Sequence, residues 1–157
     1  MDTASTLMGL GLLFVFMAPI GYLLADQSIQ EKKRKKAILE TAAKLQLNLT
    51  EHDFLPDLSL GLDEQAQKLL LVYFGKKKKP EVIDLKELVV CLLGKKYQDD
   101  KISSAIDDVR EVHLRLDQKK ASEIVIFYSE DAHPVTEKEM RMQMAQKWQD
   151  LILEKMK

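Results

Sequence analysis

The chain has little cysteine and little histidine, and this narrows the chemistry open to it. Cys91 is its one cysteine, so no disulfide can form within the chain, which agrees with a reducing compartment. It stands in the apolar run LVVCLLG, where we expect a buried small hydrophobic residue rather than a nucleophile. The histidines His52, His113 and His133 share no metal-ligand spacing with one another or with Cys91. We therefore predict no metal and no cofactor.

Glycine is also scarce, and its placement argues against phosphate chemistry. The six glycines are scattered along the chain. Gly75-Lys76 lacks the G-x-x-x-x-G-K-[ST] frame that cradles a phosphate, and the sequence has no HExxH motif, no CxxC motif and no nucleophile elbow. We predict that the protein is not an enzyme.

One grouping keeps a hydrolase-like enzyme as a remote alternative. Glu130, Asp131 and His133 stand together in a loop-like segment, and carboxylates beside an imidazole can support general acid–base chemistry. That alternative requires these three side chains to converge in space with His52 or His113.

Neither sign of charge is in excess. The chain has 24 basic and 25 acidic residues, a formal net charge of −1. A nucleic-acid-binding protein would usually show a basic excess, so we expect no nucleic-acid partner. The balance conceals two local basic clusters, Lys32–Lys36 and Lys76–Lys79.

The sequence does contain one long uncharged apolar run, Leu7–Ala25. At about 1.5 Å per residue, a helix of this length spans roughly 28 Å, close to the hydrocarbon thickness of a bilayer. A cleaved signal peptide is the competing interpretation. It needs a basic start, a shorter apolar core and a small-residue cleavage site, which MDTAST and Leu23-Leu24-Ala25 do not supply. We predict an uncleaved transmembrane anchor.

Basic residues follow the apolar run and none precedes it. The positive-inside rule then predicts a single-pass protein, integral to the membrane, with its C-terminal domain in the cytoplasm. The predicted division is a transmembrane anchor over 1–26, a basic juxtamembrane helix and linker over 27–56, and a soluble domain over 57–157.

The soluble part predicts an antiparallel meandering sheet. Residues 27–47 have helical spacing, and Asn48–Pro56 reads as a break. The β candidates are Leu58–Leu62, Lys68–Phe74, Glu81–Leu85, Leu88–Gln98, Val109–Asp117 and Glu123–Tyr128. Most connections are too short for a parallel crossover. Several strands are apolar on both faces, so we expect the second face to be covered by curling into a barrel or sandwich, by a helix, or by another protein.

A helix closes the chain. Thr136 and Glu139 predict a capping box at its start. One stripe at helical spacing comprises Met140, Met144, Trp148, Leu151 and Ile152. We expect this stripe to pack on the sheet, and we note Met140, Met144 and Trp148 as a candidate partner-binding face, because methionine side chains adapt to varied surfaces.

The order of short antiparallel strands followed by one capping helix resembles the pleckstrin-homology-like superfold. The segments that carry the resemblance are GLDEQAQKLLLVYF, PEVIDLKELVVC, VREVHLRL, SEIVIFYS and the helix with Trp148. They cover roughly Leu58 to Lys157, and their order is also similar to small bacterial single-span proteins of uncharacterised function, which implies the bacterial inner membrane as the location. The resemblance implies an α+β domain, a barrel or sandwich capped by the helix, that binds lipids, peptides or proteins.

We therefore expect a membrane-tethered, non-catalytic interaction module, an adaptor or accessory subunit with a protein partner of unknown identity. The alternative is a sensor of anionic lipid headgroups, for which the resemblance places basic residues on an early hairpin loop. The candidate lipid-binding residues are Lys76, Lys77, Lys78 and Lys79. Glu81 and Asp84 on the next strand depart from that pattern, and the simpler interpretation of the lysines is a solvated turn that keeps strand edges soluble.

Overall fold

The computed structural model describes residues 29–75, 78–97 and 108–156. The chain divides into two units between Gln46 and Leu47. The first unit contributes a helix, α1, whose described part covers 29–44. Ile38 and Ala42, one helical turn apart on the same face, are both buried. Gln46 follows with a φ of 56°, a left-handed conformation that ends the helix.

The second unit begins with a four-stranded antiparallel sheet, here called sheet A. Its strands lie in chain order: β1 (Glu51–Phe54), β2 (Leu58–Asp63), β3 (Lys68–Tyr73) and β4 (Glu81–Asp84). Every residue of β2 is buried, including the polar Ser59 and Asp63, although its sequence alternates leucines with small or polar residues. Asp63 fixes the β2–β3 turn, because its carboxylate accepts the backbone N–H of Ala66 at 2.8 Å.

The next three strands form a separate antiparallel sheet, here called sheet B. They are β5 (Leu88–Tyr97), β6 (Val109–Gln118) and β7 (Ser122–Ser129), with β6 in the centre. β6 alternates cleanly, with Val112, Leu114 and Leu116 buried. The odd-numbered residues between them therefore point away from the core.

The chain ends in a helix that packs on all three strands of sheet B. A short 3-10 helix (Val135–Glu137) leads into α2 (Lys138–Lys155). The predicted capping box is wrong, because Thr136 lies in the 3-10 helix and the N-cap residue, Glu137, makes no side-chain cap hydrogen bond.

The hydrophobic core lies between the inner faces of the two sheets and α2. It combines leucines of β2 and β3, alternate residues of β6 and β7, and the helix residues Ala145, Trp148 and Ile152. Trp148 and Phe127 are fully buried. Burial of each such side chain stabilises the fold by roughly 1.5–3 kcal/mol.

Two features of the predicted fold class are wrong, and the first is the barrel. Among the described residues, sheet A ends at β4 and sheet B begins at β5, with no ladder joining the two sheets. A tight turn separates them: the N–H of Glu87 donates to the carbonyl of Asp84 at 3.2 Å, and the N–H of Lys86 to the Asp84 side chain at 2.9 Å. The fold is α+β with two open sheets.

The second wrong feature of the predicted fold class is the membrane span. The anchor predicted over 1–26 lies outside the described residues. In residues 29–75, 78–97 and 108–156, no helix is long and apolar enough to cross a membrane. This finding contradicts the predicted single-pass inner-membrane protein and the localisation derived from it.

Candidate functional site

The face of sheet B that points away from the core is the strongest candidate for a functional surface, and we call it the outer face. Its central strand, β6, contributes His113 and Arg115. Leu92 on β5 and Ile124 on β7 both lie opposite Arg115 in the two ladders. In the next row Ile126 lies opposite His113. The three aliphatic side chains therefore flank the central strand on both sides.

These aliphatic side chains are unusually open to solvent. Leu92 is 55 % exposed, Ile124 53 % and Ile126 37 %. Single apolar residues on a surface are ordinary, but the solvated face of an antiparallel sheet is normally polar. Three of them in two adjacent rows, on either side of Arg115 and His113, make an exposed apolar surface of the kind that marks interaction sites.

The charged residues of the outer face are paired within it. Lys96 Nζ lies 2.7 Å from Oε1 of Glu111, and Arg115 Nε lies 2.9 Å from Oδ2 of Asp117. Hydrogen bonds from Arg115 and Ser122 hold the pKa of Asp117 below its usual value. In each pair the cation is the exposed member: Lys96 is 66 % exposed against 19 % for Glu111, and Arg115 56 % against 21 % for Asp117. The charge that the outer face offers to a partner is therefore positive.

His113 is held flat against β5 rather than presented to solvent. Gly94 makes this possible, because a Cβ atom built there would stand 2.3 Å from Nε2 of His113. The Nδ1 atom lies 3.0 Å from Oε1 of Glu111, but without the geometry of a hydrogen bond. The imidazole is thus a packing element of the outer face.

A second cluster lines a cavity of about 340 Å³ beside the start of α2. Arg141, fully buried, donates from Nη1 to Oδ1 of Asp57 at 2.9 Å and to the carbonyl of Phe127 at 2.9 Å. Its Nε donates to Oε2 of Glu137 at 2.8 Å. Burial raises the pKa of Asp57, but the hydrogen bond and charge of Arg141, with those of His133, outweigh it and lower that pKa.

His133 completes this cluster with both ring nitrogens occupied. The backbone N–H of Ser129 donates to Nδ1 at 2.9 Å, and Nε2 lies 3.1 Å from Oδ2 of Asp57. Because Nδ1 accepts, the neutral ring carries its proton on Nε2 and donates it to Asp57. Neither nitrogen is left over for proton transfer to a substrate, so the cluster acts as a clamp between α2 and the β1–β2 connection.

The residues of the remote enzyme alternative have separate partners. Glu130 pairs with Arg110 at 3.4 Å, while His133 pairs with Asp57. The ring of His52 lies 5.2 Å from that of Phe54. Over the described ranges, no group of three or more His, Cys, Asp or Glu side chains could hold a metal ion.

The candidate lipid-binding lysines are only partly within the described residues. Lys79 is exposed, whereas Lys76 and Lys77 lie outside the described ranges. Lys78 forms ion pairs with Glu81 and with Glu123 of β7, and its ammonium lies 4.2 Å from the centre of the Tyr73 ring. Partial burial lowers the pKa of Lys78, but these contacts outweigh it and raise that pKa. Lipid binding stays a prediction, and Lys78 already links the β3–β4 connection to sheet B.

The three residues of the candidate partner-binding face on α2 differ in how deeply they are buried. Trp148 is fully buried, Met144 is half-buried and Met140 is exposed. The buried side of the helix instead comprises Lys138, Arg141, Ala145, Trp148 and Ile152. Trp148 is therefore part of the core in this structure, and partner binding through Met140 and Met144 stays a prediction.

Sequence reasoning did not single out Leu92, Ile124 or Ile126. The available signal was the two-sided apolar character of LVVCLL and EIVIFY, which predicts that something covers the second face. Comparisons with protein-family models, with curated proteins and with solved structures found no match to this chain. The resemblance to the pleckstrin-homology-like superfold therefore gains no support from them.

Proposed function

We propose that this protein is a non-catalytic interaction module that binds a protein partner through the outer face of sheet B. The observation that carries the proposal is the exposed apolar patch of Leu92, Ile124 and Ile126. Each Å² of apolar surface removed from water contributes about 25 cal/mol, so a partner that covers these side chains gains binding energy from all three.

The edge strands of sheet B are poorly suited to binding a partner, which favours the outer face as the binding surface. β5 carries an extra residue, Val89, where the ladder shifts between Leu88 and Val90. On β7 the pairing moves from Tyr128 to Ile126 as β6 advances by one residue, so Phe127 is the bulged residue. Bulges of this kind protect edges against the addition of another strand.

The clamp around His133 supports the non-catalytic part of the proposal. A general base needs a free lone pair within reach of a substrate proton. The Nδ1 lone pair of His133 is taken by the backbone N–H of Ser129, and the Asp57 carboxylate accepts from both His133 and Arg141.

Photo-crosslinking in living cells tests the proposal. Benzoylphenylalanine would replace Leu92 or Ile124 in the full-length chain, with Val135 as the control position. Val135, 63 % exposed, is a somewhat more open aliphatic residue in the 3-10 helix, outside sheet B. We expect a discrete protein adduct from Leu92 and from Ile124 and none from Val135. The same adducts from all three positions, or none from any, would contradict the proposal.

A further inference from the structure

We infer that the partner presents an acidic amphipathic helix to the outer face of sheet B, an inference that rests on the proposed function. The inference rests on one juxtaposition. Leu92 lies on one side of β6 and Ile124 and Ile126 lie on the other, with the exposed cation Arg115 between them and the exposed cation Lys96 beside them.

The spacing of the apolar side chains fits a helix. Leu92 and Ile124 share the register of Arg115, so they lie two strand spacings apart, about 9.6 Å. An α-helix with its side chains is about 10 Å across. A helix lying along β6 therefore contacts β5 and β7 at once, with its apolar stripe on Leu92, Ile124 and Ile126.

The charge of the face selects an acidic helix. Lys96 and Arg115 project into solvent, while their partners Glu111 and Asp117 are sheltered beneath them. Glutamate or aspartate residues on the helix would meet these cations, Lys96 on β5 and Arg115 on the central strand between Leu92 and Ile124, whereas lysine or arginine residues there would be repelled.

A second copy of this chain fits the same face less well. A symmetric pair would use the same patch on both subunits, which brings Lys96 and Arg115 of each copy towards the like charges of the other.

Two synthetic helices with one identical leucine stripe test this chemistry, the first flanked by glutamates and the second by lysines. Binding to the full-length protein would be followed by fluorescence anisotropy. We expect the glutamate helix to bind about tenfold or more tightly than the lysine helix, and to weaken as salt is raised. Polyglutamate without a leucine stripe should not bind.

Variants on and off the face supply the matched controls. Arg115→Gln with Lys96→Gln should reduce binding of the glutamate helix about threefold to tenfold, because exposed ion pairs are individually weak. Leu92→Ser with Ile124→Ser should abolish it. Lys86→Gln, an exposed lysine in the β4–β5 turn, should change nothing. Circular dichroism would confirm that each variant is folded.

The outcomes separate this inference from the proposed function. Equal binding of the two helices, or no binding of either, would overturn the acidic helix while adducts from Leu92 and Ile124 still supported a protein partner. Absence of those adducts would overturn the proposed function itself. Binding of the glutamate helix that survives Leu92→Ser with Ile124→Ser would place it elsewhere on the protein and would also overturn the inference.

Discussion

Trp148 donates its indole N–H to Oδ2 of Asp53 at 3.0 Å, which joins the centre of α2 to β1. Lys147 reaches the same carboxylate oxygen at 2.6 Å. Further along the helix, Lys155 pairs with Glu64 at 3.2 Å. Together with Arg141 and Asp57, these contacts connect α2 to the strands and connections of sheet A along most of its length, although the helix packs on sheet B.

Loss of the Asp53 carboxylate should destabilise the fold. In Asp53→Ala the buried indole N–H of Trp148 loses its acceptor, which costs about 1–3 kcal/mol of unfolding free energy. Urea denaturation measures this loss of unfolding free energy. Asp150→Ala removes an exposed carboxylate of the same helix and should change stability by less than about 0.5 kcal/mol. Equal effects of the two substitutions would contradict the role assigned to Asp53.

Arg141 should be among the most sensitive positions of the chain. Arg141→Ala leaves Asp57 and Glu137 without their buried cation, and breaking such a pair costs about 3–5 kcal/mol. The matched substitution is Arg110→Ala, which removes an exposed pair with Glu130 and should cost less than about 1 kcal/mol. Guanidinium denaturation of both variants gives the comparison, and a mild effect of Arg141→Ala would argue against the clamp.

Asp57 should contribute to acid unfolding. Its pKa is lower in the folded chain than in the unfolded chain, so its ionised form stabilises the fold. That contribution is fully present above the unfolded pKa, about 3.9, and is lost as the pH falls through the folded pKa. Asp57→Asn should lower stability near neutral pH and flatten the acid limb of the stability curve. Parallel curves for the two proteins below about pH 5 would refute this assignment.

Cys91 should be inert while the protein is folded. Burial raises the pKa of its thiol to about 11, and only the thiolate reacts with alkylating reagents. At about pH 8 we expect iodoacetamide to label the native protein at least about a hundredfold more slowly than the urea-unfolded protein. Since Cys91 is the one cysteine, mass spectrometry reads the reaction directly. Similar rates in both states would mean that the thiol is accessible.

The alternation of apolar and polar residues predicted a strand correctly where one face of that strand is buried and the other is not. Val112, Leu114 and Leu116 alternate with polar residues and are buried, as the sequence indicates. β1 was missed because its sequence, EHDF, is short and polar, and its pairing with β2 provides the hydrogen bonds that hold it. The local sequence of a strand does not show which other strand will pair with it.

The α2 helix shows a different limit. The predicted stripe included Met140, but the structure buries Lys138 and Arg141 and exposes Met140. Arg141 is buried because Asp57, distant in sequence, and Glu137 neutralise it. The spacing of Ala145, Trp148 and Ile152 marks the correct face. Extending that stripe back to a charged residue requires knowledge of the tertiary partner.

The candidate site was foreseen only in outline. Apolar residues on both sides of EIVIFY predicted a covered second face, and Ile124 and Ile126 are the residues on it. The sequence did not indicate that this face would be open to solvent, nor that Lys96 and Arg115 would shelter their own carboxylates, because both depend on packing across strands.

The bulges in sheet B have a consequence for how the protein assembles. A bare strand edge can add further strands without limit, and that growth leads to fibres. A sheet face is filled once a single segment lies on it. The edge strands of sheet B have bulges at Val89 and Phe127, and Lys78 forms an ion pair with Glu123 of β7. We therefore expect sheet B to bind one segment per chain on its outer face and not to extend by adding strands at its edges.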